Sequence, residues 1–224
     1  MAAAPVLPGI LRVGSGRAPQ TFFNRQGEEE KMRLTSVLVG ASLALLPMAA
    51  AHADTVFTGN LGYEMGGDEV VEVAYTDGSS ESINGGDGFF LNVGSLTELT
   101  NEGDWQLGFS VGFKYRGIIA SNGDISLVRF PLEATIYKDL NEHRFGVGAV
   151  YHSGITLDGS GEGSWVNDYS DDLTSHVGLA VQYGYSFNPY WSLGLRYTSI
   201  KYASSSLDKD IDASSGGLIV SARF

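Results

Sequence analysis

At 224 residues the chain has room for one or two domains, and its 14 basic against 26 acidic side chains leave a formal charge of −12. That balance argues against a nucleic-acid partner, whose phosphates need clustered Lys and Arg. With no Cys there is no disulfide framework, thiolate metal site or lipid-bearing cysteine, so strand pairing and burial must hold the folded part together.

The chain opens on a stretch rich in Ala, Pro and Gly without periodicity, Met1 to Gln26, followed by Gly27-Glu28-Glu29-Glu30-Lys31. Such a Gly-Glu run is what a purine-rich ribosome-binding stretch encodes when read in frame, just upstream of Met32. Residues 1–31 are therefore expected to be unstructured, the product of a start assigned too far upstream. From Met32 the pattern is that of an export signal: Arg33 gives the positive start, Leu34 to Leu46 the apolar run, and Ala51-His52-Ala53 the small-x-small cleavage pattern. Residues 32–53 read as a signal peptide cut between Ala53 and Asp54, which leaves 54–224 as the mature domain. Five cations leave with three carboxylates, so that domain is more acidic still.

No apolar run in 54–224 is long enough for a spanning helix, so a membrane location requires a closed barrel, and alternation is the test. Phe57, Leu61, Tyr63 and Met65 share one face of a first strand, opposite Val56, Thr58, Asn60 and Glu64. Phe89, Leu91 and Val93 begin a short second. In the third, every odd position from Trp105 to Tyr115 is apolar, against Gln106, Gly108, Ser110, Gly112, Lys114 and Arg116. The fourth sets Phe130, Leu132, Ala134 and Ile136 against Arg129, Pro131, Glu133 and Thr135, and Pro131 should interrupt its ladder. The fifth sets Phe145, Val147, Ala149 and Tyr151 against Arg144, Gly146, Gly148 and His152. Val177 to Phe187 and Trp191 to Tyr197 supply the sixth and seventh. In the eighth, Leu218, Val220, Ala222 and the terminal Phe224 alternate with Gly217, Ile219, Ser221 and Arg223. Eight is an even count that can close on itself.

Connections alternate in length. Those after strands two, four and six are short, near Thr100–Asp104, Asp139–His143 and Asn188-Pro189. Those after the odd strands are long and polar, near Gly66–Asp87, Gly117–Asp124, Ser153–Leu173 and Ala203–Ala213. That rhythm predicts short periplasmic turns and long extracellular loops. Within the first loop, Val70–Tyr75 and Ser79–Ile83 flank Asp77-Gly78, which predicts a hairpin.

A soluble calyx has the same period with its apolar face inward. Here one face is large and apolar, while the other mixes Gly, Ser and Thr with Glu64, Lys114, Arg116, Arg129, Glu133, Arg144, Arg196 and Arg223. Such residues suit the filled lumen of a small membrane barrel, where carboxylates pair with Arg and glycines make room for long side chains. Trp105, Phe187, Tyr190, Trp191 and Phe224 cluster near the short turns, and Tyr63, Tyr115 and Tyr151 near the long loops, as two interfacial belts would.

The export signal, the eight alternating segments, the loop rhythm and the terminal Phe224 resemble the small eight-stranded Gram-negative outer-membrane barrels of the OmpA, OmpX and OmpW kind. The resemblance covers 54–224 and is one of architecture. It implies an all-β, eight-stranded antiparallel up-and-down transmembrane barrel in the outer membrane, in contact with lipid and lipopolysaccharide. It also implies that Leu218, Val220, Ala222 and Phe224 form the signal read by the barrel-assembly machinery.

The candidate chemistry is sparse. A lipid A hydrolase or acyltransferase needs a base and a nucleophile on one face, but His152 and Ser153 point apart, and Ser175 points away from His176. The loop carboxylates Asp68, Glu69, Glu72, Asp158, Glu162, Asp168, Asp171, Asp172, Asp208, Asp210 and Asp212 read as solvated charge that keeps strand edges from pairing, since D-x-D-x-D at 208–212 lacks the Gly and distal Glu of a calcium loop. Bulk transport needs a wider lumen than eight strands leave. The expectation is a monomeric, non-enzymatic barrel without cofactor or metal, in a structural or surface-interaction role. Two alternatives stand beside it: a narrow transporter of small hydrophobic molecules, which the OmpW likeness implies, and a lipid A-modifying enzyme.

Overall fold

The computed structural model describes residues 11–12, 55–74, 79–100, 103–120, 123–161, 169–204 and 209–224. The signal peptide and its cleavage site Ala53-Asp54 lie outside these residues, as do Asp77-Gly78, Glu162, Asp168 and Asp208. Of residues 1–31, only Leu11 and Arg12 are described, as a two-residue parallel bridge to Val71 and Glu72.

In chain order the strands are β1 Thr55–Met65, β2 Glu69–Ala74, β3 Ser80–Asn84, β4 Gly88–Glu98, β5 Trp105–Ala120, β6 Gly123–Leu140, β7 His143–Gly161, β8 Tyr169–Ser175, β9 Gly178–Ser186, β10 Trp191–Ser199, β11 Lys201–Ser204, β12 Ile211–Asp212 and β13 Ser215–Arg223. Eight of them, β1, β4, β5, β6, β7, β9, β10 and β13, pair antiparallel with their neighbours in a ring. The last strand meets the first from Gly216↔Met65 to Arg223↔Thr58, so these eight have no free edge.

Turn chemistry explains the short end. Asn141 sits at φ 56, a left-handed position Asn tolerates, in the two-residue turn between β6 and β7. The Asn188 side-chain oxygen accepts the N–H groups of Tyr190 and Trp191 and folds the β9–β10 turn. At the β4–β5 turn Lys138 donates to Asp104, and this bond, with a second from Thr100, holds the Asp104 carboxyl below the usual carboxylate range. A depressed carboxyl stabilises the fold above the ordinary Asp range and loses that contribution as pH falls through its lowered value. Lys138→Met is therefore expected to move the Asp104 titration upward, read by carboxyl-resolved NMR.

The long end differs from the sequence expectation. Much of what reads as loop is strand: β5 and β6 stay paired as far as Ala120↔Gly123, and β7 runs to Gly161, pairing with β8 up to Gly159↔Tyr169. The hairpin of the first loop forms, β2 pairing with β3. Above about Tyr115 the alternation persists with its sign reversed. In β10 and β11, Arg196 and Thr198 point inward and are followed by inward Ile200 and Tyr202; Leu195 and Tyr197 point outward and are followed by outward Ser199 and Lys201. In β6, inward Arg129 gives way to Leu127, and outward Phe130 to Ser126 and Asp124. The barrel thus has a lower tier, apolar outside, and an upper tier with its own apolar core. That core joins Ile118, Leu127, Ile155, Leu157, Leu173 and Tyr202 to Val70, Val71 and Ile83 of the hairpin.

Pro131 interrupts the β5–β6 ladder between Val111↔Leu132 and Lys114↔Arg129, because it has no N–H to donate. On the other side, β7 carries an extra residue at Ser153–Gly154, with Gly154 at φ 55. The second barrel strand is full length, eleven residues, rather than short.

Candidate functional site

The outer surface of the lower tier is a continuous apolar band. Phe57, Leu61, Leu91, Val93, Phe109, Phe113, Ile136, Val147, Val181, Leu193, Leu195 and Leu218 all lie exposed on it. Its upper edge carries Tyr63, Phe89, Tyr115, Phe130, Tyr151 and Tyr197, and its lower edge Trp105, Phe145, Tyr185, Trp191 and Phe224. Ten residues of strand separate Trp105 from Tyr115. At about 3.3 Å per residue and the usual barrel tilt of about 40°, that is about 25 Å, the height of a lipid-facing band. A closed antiparallel barrel with such a band and two aromatic girdles is an outer-membrane barrel in kind.

Of the terminal-strand residues, Leu218 and Phe224 are exposed, Val220 is half-buried and Ala222 buried. Ala222 pairs with Trp191 on one side and Gly59 on the other, and the Phe224 ring lies over Gly59. Ala222 therefore shares the outward phase of the strand with Leu218 and Phe224.

Inside, the polar residues fall into two layers. In the middle layer Arg196 donates two bonds to Glu133, 2.6 and 2.9 Å, and one to Glu64, 3.1 Å. Lys114 reaches Glu64 at 2.5 Å, Thr198 donates to Glu64, and Asn92 donates to Glu133. Every one of these side chains is buried. Arg129 lies above them, and its terminal nitrogens donate to the backbone oxygens of Gly85 and Asp87 rather than to a carboxylate. In the lower layer Arg144 binds Asp139 twice and Gln106 once, with its guanidinium over the Tyr137 ring. Arg223 approaches Asp139 at 3.6 Å. Arg116 stands apart and pairs with Glu81 on the hairpin at 2.9 Å.

Glycines make these layers fit. A Cβ on Gly108 or Gly146 would stand 2.7 or 2.8 Å from the Tyr137 ring, and one on Gly112 would stand 1.8 Å from the Asn92 side-chain oxygen. Gly112→Ala is expected to push Asn92 off Glu133 and cost about 1–3 kcal/mol, measured by urea unfolding in lipid vesicles.

The sequence pattern singled out the charged members and put Gln106 and Thr198 on the same face as them, but passed over Asn92 and Tyr137 and left Asp139 in a turn. Asn92, flanked by outward Leu91 and Val93, was legible by alternation alone.

Candidate catalytic groups do not converge. His152 is buried with its Nδ1 2.5 Å from the Tyr202 hydroxyl, and Ser153 is not its partner. The Ser175 hydroxyl accepts the His152 backbone N–H and donates to the His176 carbonyl. His176 is exposed, 3.4 Å from Asp210. Two of the described loop acids are held by backbone donors: Asp212 accepts the Ser214 N–H, and Asp68 accepts the Asp212 N–H. Among the described residues, no three carboxylates or imidazoles converge on a point a cation could occupy.

No protein-family model and no curated protein matches the sequence. Among solved structures, the attachment invasion locus protein Ail of Yersinia pestis, crystallised with the heparin analogue sucrose octasulfate, is 16% identical over 76% of this chain and 97% of its own, with a TM-score of 0.48. Neisserial surface protein A is 14% identical over 76% and 97%, with a TM-score of 0.43. Outer membrane protein AlkL, determined by solid-state NMR in lipid bilayers, is 13% identical over 79% and 93%, with a TM-score of 0.35. Likeness of this degree carries no functional argument, and the closed eight-stranded architecture stands on its own hydrogen-bond ladder.

Proposed function

We propose that the protein is a monomeric, non-enzymatic outer-membrane barrel of a Gram-negative bacterium, with a closed lumen and a structural or surface-interaction role. The observation that carries this reading is the stack inside the barrel: the Arg144–Asp139 layer, the Glu64–Lys114–Arg196–Glu133 layer and the apolar upper core occupy three successive levels of the eight-stranded interior. The apolar band meets outer-membrane lipid and lipopolysaccharide, the short turns face the periplasm, and the upper tier stands outside the cell. Leu218, Val220, Ala222 and Phe224 serve as the signal for the barrel-assembly machinery. Lipid A modification lacks a paired base and nucleophile among the described residues. Passage of a small hydrophobic molecule has one support, the apolar character of the upper core.

Planar-bilayer recording and mass analysis of lipid A, both with purified protein, test the reading. The expected result is no conductance steps and an unchanged acyl pattern. Channel steps would give the lumen to transport, and a changed acyl pattern would make the protein an enzyme.

A further inference from the structure

The middle layer leaves one charge without an opposite. Lys114, Arg196 and Thr198 occupy Glu64, while Arg196 and Asn92 occupy Glu133. Arg129 is 0% exposed, and no carboxylate reaches it among the described residues. Its two terminal nitrogens bind the Gly85 and Asp87 carbonyls, its Nε–H has no partner among the described residues, and the Tyr202 hydroxyl sits beside the guanidinium. The Asp87 carboxylate is turned elsewhere, to the backbone N–H groups of Gly66 and Asn84. A guanidinium holding two oxygens on its two terminal nitrogens is the arrangement a carboxylate or phosphate fills in bidentate fashion.

Directly above this cation lies the apolar core of the upper tier, and the β2–β3 hairpin closes it with Val70, Val71 and Ile83. These three bring about ten side-chain carbons into the compartment, comparable to the tail of a medium-chain amphiphile. Both feet of the hairpin carry glycines in conformations other residues resist: Gly66 at φ 136 and Gly67 at φ 90 on one side, Gly88 at φ 147 on the other. The hairpin's apolar side chains thus stand where a tail would lie, and its carbonyl oxygens stand where an anionic head would bind.

We propose that the upper tier is a binding site for a medium-chain anionic amphiphile, its head on Arg129 and its tail among Leu127, Ile155, Leu157 and Tyr202, held shut by the β2–β3 hairpin as an internal surrogate ligand. Binding exchanges the hairpin for the ligand, and it requires release of the bonds that tie the feet, from Gly86 N–H to the Gly66 oxygen, Asp68 N–H to the Asp212 oxygen and Gly66 N–H to the Asp87 carboxylate. The site does not depend on how the barrel sits in lipid. Its failure would leave the proposed role intact, and bilayer currents would not by themselves reveal it.

Because the chain has no Cys, Ser80→Cys on the exposed side of β3 accepts a single environment-sensitive fluorophore. The labelled protein, in phospholipid nanodiscs, is titrated below the micellar range with decanoate, decyl phosphate, decanol and decyltrimethylammonium. Decanoate, decyl phosphate or both should give a saturable signal that the other two do not, and Arg129→Gln should weaken it at least tenfold. Hydrogen exchange on the wild-type chain, which needs no variant to fold, should rise at residues 69–74 and 80–84 with the same ligand while the lower-tier strands stay protected. Equal responses to all four compounds, an unchanged affinity in Arg129→Gln, or a hairpin whose exchange does not respond would each overturn the proposal.

Discussion

Arg196→Met is expected to cost the folded barrel about 3–5 kcal/mol, because it leaves buried Glu133 without a cation and removes one of the two cations on Glu64. Arg196 alone bridges Glu64 and Glu133, the latter through both terminal nitrogens. Lys114 can hold only the Glu64 side, and Asn92 offers Glu133 a single neutral donor. Urea unfolding of the protein refolded into phospholipid vesicles measures the loss. The companion variant Arg196→Met, Glu133→Gln, which leaves the Lys114–Glu64 pair in place, should recover most of it, since removing both members of a buried ion pair costs far less than removing one. Arg196→Lys should fall between them, keeping the charge but losing the fork that grips Glu133. A loss below about 1 kcal/mol in the single variant would mean that water reaches the layer and screens it.

Leu195→Arg is expected to destabilise the barrel in lipid by about 2–4 kcal/mol, the cost of a cation near the middle of a lipid-facing band. Leu195 is 59% exposed, faces outward between Tyr183 and Leu218 on the flanking strands, and lies between the two girdles. Asp158→Arg, on the outer surface of the upper tier, should change stability by no more than about 0.5 kcal/mol. The pair separates a lipid-facing surface from a watery one by unfolding in vesicles. Equal effects at both positions would remove the case for a membrane around the lower tier.

The lower tier was legible because large apolar side chains recur at every second residue while Arg, Glu and Gly fill the intervening positions, as from Trp105 to Arg116. The upper tier was not. A search for apolar side chains on the outward phase stops at Tyr115 or Tyr151, although Ile118, Leu127, Ile155 and Leu157 continue the alternation on the inward phase. The second barrel strand was cut short for a related reason: Ser95 and Thr97 occupy its outward positions, and Leu96 points in. Charged lumen residues could be assigned to a face but not to partners, because cross-strand neighbours depend on register and register depends on turn geometry. Arg129 looked like any other lumen cation, and nothing in its neighbourhood along the chain shows that its oxygens come from Gly85 and Asp87.

The reversal of polarity near Thr198 and Arg129 works like the waterline of a hull. In lipid, a barrel that rode higher would wet its leucines, and one that rode lower would sink Ser126, Asp158 and Lys201 into oil, so both errors are opposed. For a barrel seated in lipid as proposed, vertical position is thus specified on both sides of the same wall.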